Sequence, residues 1–278
     1  MKIIYTSDLH IDAIPYYDHS RFRSFLYLIK AYEPDYIIFG GDNCERWEYT
    51  SQFFSLYRRE IPNIKTALIP GNHDLWSYHK DTKREAIYDH IRKTCKEYDI
   101  TFLEENPIVD GKILLCGTIG WYDYSAKPEA ENTEFLIVNK GTMNNDGNYI
   151  ISDIGDLEFA EQCKKRLLKN IRANQKNVSD ILVFTHVPVL KETLASPPHG
   201  KNAREWYMSN SYFYNFSIGK ELLKNKKVKL IISGHVHRYM SGMSKNIPYA
   251  VCGSDYGEPE ALFIDFEDGV LNSIDRVE

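Results

Sequence analysis

The sequence predicts an α/β fold in which strands alternate with helices around a largely parallel sheet. Short apolar runs such as 36–39 and 181–184 are typical of buried strands, and the segment 20–32 carries apolar residues at helical spacing. In addition, a polar cluster or a lone histidine follows each of five predicted strands. Because ligands bind beyond the carboxyl ends of strands in such sheets, this observation also predicts where the functional site lies.

In the first half of the chain, apolar runs predict strands and amphipathic segments between them predict helices. The predicted strands are 2–6, 36–39 and 66–69. The predicted helices are 20–32 and 50–60. Pro34 and Pro62 follow these helices and are expected to end them, because proline cannot continue a helix.

The second half continues the alternation less regularly. Helices are predicted over 81–97, 156–175 and 217–226. Strands are predicted over 100–103, 113–117, 181–185 and 228–233, followed by tail strands at 250–252, 261–266 and 270–274 that alternate like antiparallel strands. Two long segments without a clear period, near 121–155 and 188–217, are expected to form rim insertions on a single domain spanning 1–278.

Composition is that of an ordinary globular protein. The chain has 278 residues, of which 43% are hydrophobic and 26% charged. Its net charge of −5 creates no overall attraction to nucleic acid or anionic membrane, although a local basic groove would be compatible with it.

The cysteines and the first residues favour the cytoplasm. Five scattered cysteines without a C-x-x-C pair are typical of reduced thiols rather than a disulfide framework. No apolar stretch approaches the ~20 residues needed to span a membrane. Residues 1–6 are too short for the apolar core of a signal peptide, and cleavage there would remove Asp8 and His10.

The polar clusters at the predicted strand ends combine histidine, aspartate and asparagine. They are Asp8-Leu9-His10, Gly41-Asp42-Asn43, Gly71-Asn72-His73-Asp74, the lone His186, and Gly234-His235-Val236-His237. Such side chains suit zinc, manganese, iron, cobalt or nickel. Each cluster alone could be an ordinary turn, since these residues favour turns. All five together provide more ligands than one metal ion needs and enough for two.

The ordered blocks D-x-H, G-D, G-N-H-D, H and G-H-x-H resemble those of the calcineurin-like metallophosphoesterase superfamily. The resemblance spans residues 8–237 and implies a four-layer αββα sandwich of two mixed β-sheets flanked by helices. It also implies a binuclear centre, for which we expect manganese, iron or zinc. One ion would be bound by Asp8, His10, Asp42 and His237. The other would be bound by Asn72, His186, His235 and the bridging Asp42.

The same resemblance implies that His73 contacts the phosphate and protonates the leaving oxygen, while Asp74 orients His73. Two cations ~3.5–4 Å apart can share a water and lower its pKa, so a bridging hydroxide is expected to attack the phosphoester in line. Many members have an aspartate or arginine soon after the G-D block, whereas this chain reads D-N-C-E-R over 42–46. This departure removes no ligand.

The rim segments supply the candidate substrate contacts, on the hypothesis that their aromatic side chains stack on a leaving group. The candidate residues are Trp121, His199, Arg204 and Trp206. The alternative is that the rim aromatics pack against one another. The basic residues within 164–176 and 224–227 are more typical of solvated helix faces than of a nucleic-acid surface.

The expected function is therefore metal-dependent hydrolysis of a phosphoester, with a small or nucleotide-like phosphodiester favoured as substrate. No membrane partner is expected, nucleic acid is possible but not favoured, and the sequence leaves the oligomeric state open. A DNA or RNA nuclease, a protein phosphatase of the same superfamily, and a non-catalytic binding scaffold are the alternatives.

Overall fold

The computed structural model describes residues 1–12, 19–79 and 81–277, which form two six-stranded sheets covered by helices. The strands are β1 (Lys2–Thr6), β2 (Tyr36–Phe39), β3 (Lys65–Leu68), β4 (Thr101–Phe102), β5 (Ile108–Asp110), β6 (Ile113–Thr118), β7 (Asp180–Thr185), β8 (Val228–Ser233), β9 (Met240–Ser244), β10 (Ile247–Val251), β11 (Ala261–Glu267) and β12 (Val270–Val277). The helices are α1 (His19–Ala31), α2 (Thr50–Glu60), α3 (Arg84–Glu97), α4 (Thr133–Val138), α5 (Lys140–Met143), α6 (Asp146–Tyr149), α7 (Asp156–Asn174), α8 (Ala203–Ser209) and α9 (Phe216–Leu222).

Both sheets are mixed. The first has the order β12-β11-β1-β2-β3-β4, with β1 to β4 parallel and the hairpin β11–β12 added antiparallel to β1. The second has the order β5-β6-β7-β8-β10-β9, with a parallel centre and an antiparallel strand at each edge. The carboxyl ends of the parallel strands thus lie along one edge of each sheet.

Alternate residues of a strand face opposite layers, as the pleat of a strand requires. Ile3 and Tyr5 of β1 pack between the two sheets, whereas Ile4 packs against helix residues such as Phe25. Leu167 of α7 belongs to the apolar layer outside the second sheet. The four-layer arrangement of helices, sheet, sheet and helices is therefore confirmed.

The elements that carry a strong period are found close to their predicted positions, and the two rim segments differ most. The segment 121–155 contains the three short helices α4 to α6, and 188–217 contains α8. Helices of four to seven residues span too few turns to show a period in the sequence. In the tail, β10 pairs parallel to β8 as well as antiparallel to β9, a strand that the sequence did not predict.

Two compositional expectations can be compared with the structure. All five cysteines are buried and unpaired by disulfides. Within the described ranges, none of the helices has the length and apolar character needed to cross a membrane.

Candidate metal centre

Five loops at the carboxyl ends of β1, β2, β3, β7 and β8 converge at the edge where the two sheets meet. They bring together the seven expected metal ligands. These are Asp8, His10, Asp42, Asn72, His186, His235 and His237. Six of the seven are buried, so the cluster is part of the protein interior.

The backbone at this edge is unusual. Asp8, His10, Asp42, His235 and His237 have φ angles of 56°, 42°, 52°, 72° and 48°. Residues other than glycine adopt this left-handed region at a cost of about 1–3 kcal/mol each, and such residues cluster at functional sites. Backbone hydrogen bonds from Asp8 N to Gly41 O (2.9 Å) and from His10 N to Asp42 O (3.0 Å) hold two of these turns.

Two glycines of the sequence blocks permit this close approach. A Cβ on Gly71 would lie 2.1 Å from Asp42 Oδ1, and a Cβ on Gly234 would lie 2.2 Å from Ser7 Oγ. Side chains at these positions would displace the loops that carry Asp42 and Asp8. The glycines therefore belong to the architecture of the centre.

The ligands form two groups, which we call the outer and the inner subsite. The outer subsite comprises Asp8, His10 and His237. Its two imidazoles approach to 3.4 Å between their Nε2 atoms, and His237 Nε2 lies 3.5 Å from Asp8 Oδ1. The side chain of His237 is 22% exposed, so this subsite opens toward solvent.

The inner subsite comprises Asn72, His186 and His235. His186 Nε2 lies 3.0 Å from Asn72 Oδ1 and 3.2 Å from His235 Nδ1. Asp42 stands between the two subsites, with Oδ2 at 3.3 Å from His186 Nε2 and 4.0 Å from His10 Nε2. This buried oxygen lacks a hydrogen-bond partner of good geometry among the described residues.

These spacings fit two cations. Two ring nitrogens that bind one ion at about 2.1 Å with tetrahedral geometry stand about 3.4 Å apart. The nitrogen pairs of the two subsites have separations of 3.4 and 3.2 Å. The unpaired Asp42 oxygen lies where a bridging ligand is needed, so the residues present would hold one ion in each subsite.

Hydrogen bonds behind the ligands set which atom faces each subsite. His186 Nδ1 donates to Gly40 O at 2.9 Å, and His237 Nδ1 donates to Asp255 Oδ1 at 2.9 Å. These bonds hold Nε2 of each ring on the side of its subsite, as binding of a metal ion by that atom requires. Sequence reasoning missed Asp255, since nothing distinguishes it from other loop aspartates.

The electrostatics favour positive charge at this position. Burial alone would lower the pKa of His186, yet the Asp42 and Asp8 carboxylates raise it to about 9. Burial opposes ionisation of Asp42, but the imidazoles of His186 and His73 hold the pKa of its carboxyl well below the usual range. Burial lowers the pKa of His10 to about 2, which keeps this ring neutral and its lone pair available.

His73 borders the same site, but its expected partner is different. Its backbone N–H donates to Asp42 Oδ1 at 2.8 Å, and its imidazole stacks on Trp76 with ring centroids 3.6 Å apart. The acidic group beside His73 Nδ1 is Glu45, at 3.7 Å.

In the part of the chain that the structure describes, no hydrogen bond joins the Asp74 carboxylate to His73, contrary to the expectation that Asp74 orients His73. Its Oδ2 accepts from the backbone N–H groups of Gly71 and Asp42, both at 2.8 Å. Burial and the nearby Asp42 raise the pKa of Asp74 to about 7. Asp74 therefore fixes the loops that carry the ligands, and Glu45 is the residue that sequence reasoning missed.

A cavity of about 650 Å³ opens above the metal ligands. His73 and the ligands Asp42, Asn72, His235 and His237 form part of its lining. Residues 141–146 and residues from 195–214, including Trp206, contribute further walls. Residues of both rim segments thus line the cavity above the centre.

Three of the four candidate substrate residues lie outside this lining. Trp121 is fully buried, stacks on Tyr122 and donates from Nε1 to Asp156, so it packs the rim internally. Arg204 is 70% exposed and pairs with Glu131 at 2.7 Å. His199 lies in an exposed loop. Only Trp206 of the four lines the cavity, because the rim aromatics largely pack against one another.

Comparisons with known proteins agree with this geometry. The family model described as calcineurin-like phosphoesterase matches residues 1–239. In sequence, the chain is 30% identical over 108 residues to "[Acyl-carrier-protein] phosphodiesterase PptH" of Mycobacterium tuberculosis (strain ATCC 25618 / H37Rv). That match covers 36% of this chain and 32% of the relative, so it spans about a third of the relative's length.

Among solved structures, phosphopantetheinyl hydrolase PptH from Mycobacterium tuberculosis superimposes with a TM-score of 0.66 at 18% identity, covering 92% of this chain and 90% of that one. A dimetal phosphatase from Danio rerio gives a TM-score of 0.60 at 12% identity, covering 100% and 97%. At these identities the similarity concerns the fold.

The matched range, residues 1–239, contains all seven expected ligands and His73. The fold, the ligand clusters and the family model therefore agree. This chain belongs to the calcineurin-like phosphoesterase family, whose members hydrolyse phosphoric esters at a dimetal centre.

Proposed function

We propose that this chain is a single catalytic domain that hydrolyses a small phosphodiester inside the cavity above its metal centre. The observation that carries the proposal is the cavity itself, whose volume of about 650 Å³ lies within the range of small-molecule sites. Its floor is formed by metal ligands and its upper walls by the two rim segments. A phosphodiester carries an organic group on each side of its phosphate, so it would occupy both the floor and the upper part of the cavity.

The lining has the mixed chemistry that such a substrate requires. Trp206, Phe213 and Tyr214 offer an apolar wall, while Thr142 and Asn145 offer hydrogen bonds. Among the described lining residues there is one arginine, Arg238, and no lysine. A nucleic-acid backbone needs several cations along its path, so this lining favours a small phosphodiester over a polymer.

The protein residues have distinct roles in this proposal. The metals would be held by Asp8, His10, Asp42, Asn72, His186, His235 and His237, and we favour manganese, iron or zinc from the ligand types. The chemistry supplied by two bound metal ions is activation of water and neutralisation of charge on the phosphate oxygens. His73 gives its proton to the leaving oxygen, a role usually worth about 10²–10⁴-fold in rate.

Glu45 and Trp76 orient His73 in this scheme. Trp76 stacks on one face of the imidazole, and the Glu45 carboxylate lies 3.7 Å from its Nδ1. With Glu45 on the Nδ1 side of the ring, the proposal assigns Nε2–H of His73 as the proton donor. Glu45 thus takes over the role that the sequence had suggested for Asp74.

The relative PptH supports a diester rather than a monoester, because PptH is named a phosphodiesterase. The five unpaired thiols are compatible with a reducing compartment, and we propose the cytoplasm as the location.

The test is an assay panel after reconstitution with manganese, iron or zinc. It compares an aryl phosphodiester, an aryl phosphomonoester, a cyclic nucleotide and single-stranded DNA. We expect kcat/KM for the better diester to exceed that for the monoester by at least about tenfold, or ~1.4 kcal/mol in transition-state binding. In His73→Asn, kcat should fall by about 10²–10⁴-fold while both ions stay bound.

Two outcomes would overturn the proposal. The first is a preference for the monoester by the same margin. The second is activity on DNA that exceeds activity on every small diester and falls steeply with added salt, which would indicate a nuclease.

A further inference from the structure

Asp146, the first residue of α6, connects a rim segment to the metal centre. It is fully buried, and its Oδ1 accepts hydrogen bonds from Asn72 Nδ2 at 2.9 Å and from Trp76 Nε1 at 2.6 Å. One of these donors belongs to a metal ligand, and the other to the residue that stacks on His73. Oδ1 of Asp146 thus binds both Asn72 of the inner subsite and Trp76, the residue that stacks on the proton donor His73.

The bond to Asn72 decides which end of its amide faces the metal. Asp146 lines the same cavity as Asn72. A carboxylate has no proton to donate, so in a hydrogen bond with an amide it can only be the acceptor. It therefore binds the NH₂ end of Asn72. The other end, Oδ1, is left 3.0 Å from His186 Nε2 within the inner subsite. An amide nitrogen cannot replace this oxygen as a metal ligand, so the orientation of Asn72 matters.

The bond to Trp76 fixes the orientation of the indole ring that stacks on the His73 imidazole. The indole and imidazole planes differ by 25°, with centroids 3.6 Å apart. On the rim side, Tyr149 of α6 contacts the same indole at 4.8 Å between centroids. Rotation of the indole would remove the stacking surface and change the angle at which His73 faces the cavity.

The rim segment that carries Asp146 is itself tied to the loop after His73. The Asp146 backbone N–H donates to Asn144 Oδ1 at 2.8 Å. Ser77 N donates to Tyr149 O at 2.9 Å, and Arg84 N donates to Ile151 O at 2.7 Å. These bonds place the Asp146 carboxylate on rigid supports, as a group that orients ligands requires.

We propose that Asp146 is a positioning residue that sets the ligand face of Asn72 and the stacking surface of His73 at the same time. The rim segment around α6 is then part of the metal centre as well as a wall of the substrate cavity. The inference rests on the proposed function only for its kinetic readout, because metal binding is measured without substrate.

The test compares Asp146→Ala with Asp146→Asn. Residues that orient metal ligands typically change metal affinity by about 10–100-fold, so we expect a loss of this size at the inner subsite in Asp146→Ala. Asparagine can place its carbonyl oxygen where Oδ1 stands, so Asp146→Asn should stay within about threefold of wild type. Affinity is measured by titration calorimetry with Zn²⁺, and ligand geometry by the visible spectrum of the Co²⁺ form.

Asp156→Ala is the matched control. Asp156 is a second carboxylate that ties down the rim, accepting from Trp121, Tyr124 and Lys140, but it contacts no ligand. We expect this variant to lose thermal stability while keeping the Co²⁺ spectrum and the Zn²⁺ affinity of the inner subsite. Trp76→Phe breaks only the second bond of Asp146 and should lower kcat on the aryl diester without changing metal affinity.

The proposal is overturned if Asp146→Ala binds both ions like wild type, or if Asp156→Ala shows the same spectral and affinity changes. Should Asp146→Ala fail to fold, Asp146→Asn and Trp76→Phe decide the question. Loss of metal by Asp146→Asn to the extent expected for alanine would contradict the role of the shared acceptor. Failure of the diester assay alone would affect the proposed function and leave the metal results unchanged.

Discussion

The inner and outer subsites are built from similar side chains but differ in what lies behind them. In the inner subsite, His186 is completely buried and bonds to Gly40 O, while Asn72 bonds to the buried Asp146. In the outer subsite, His237 is 22% exposed and bonds to Asp255, whose side chain is 56% exposed. His186 and Asn72 of the inner subsite are thus held by interior groups, whereas His237 of the outer subsite is held by a group that water reaches.

This difference predicts that the two ions are held unequally. Exposed side chains exchange their hydrogen bonds with water and lose less when they move, whereas buried polar groups lose their only partners. The inner ion should therefore dissociate more slowly than the outer ion. The outer subsite, which opens toward solvent, is the more accessible of the two to chelators.

The largest expected effect comes from the residue that the subsites share. In Asp42→Ala, both ions should be lost, because Asp42 lies between the two nitrogen clusters. Activity should fall by at least about 10³-fold, since several kcal/mol of transition-state stabilisation depend on the metals. Metal content by mass spectrometry and kcat/KM check this. The exposed Asp153, paired with Lys83, supplies the control Asp153→Ala, which should behave like wild type. Retention of one full ion in Asp42→Ala would show that the subsites are independent.

A smaller effect is expected from a variant that weakens metal binding at the outer subsite alone. Asp255→Ala removes the acceptor that orients His237, so affinity for the outer ion should fall by about 10–100-fold. The inner ion should be unaffected. A chelator time course followed by metal analysis measures how fast each of the two ions is lost. Asp255→Asn is the control variant, because asparagine keeps an acceptor for His237. Equal acceleration of the loss of both ions would contradict the comparison.

The smallest effect concerns the aromatic side of the outer subsite. Tyr256 stacks on His10 with centroids 4.3 Å apart and planes at 15°. Ring stacking contributes about 0.5–1.5 kcal/mol, so Tyr256→Leu should weaken the outer ion by about two- to twelvefold. Tyr256→Phe keeps the ring and should retain wild-type affinity in the same titration. A loss in the phenylalanine variant equal to that in leucine would assign the effect to the hydroxyl instead.

Site residues that follow strands and site residues in segments without periodicity differ in how far the sequence predicts them. Asp8, Asp42 and His186 follow apolar strands directly, and a strand end defines its own position in an α/β sheet. Asp146 and Glu45 lie in segments without strong periodicity, so no local pattern distinguishes them. Trp121 shows the opposite error, because an aromatic residue in a polar segment can pack inside the segment as readily as it lines a cavity.

The sequence by itself determined the α/β class, the edge of the sheet that carries the site, and the side chains that approach the two metal positions. These follow from local order, since each ligand is attached to the strand that it follows. Only the tertiary structure decided which groups stand behind the ligands. Asn72 and Asp146 are 74 residues apart, and His237 and Asp255 are 18 apart. Their contacts depend on how separate segments pack in space, which no short stretch of sequence encodes.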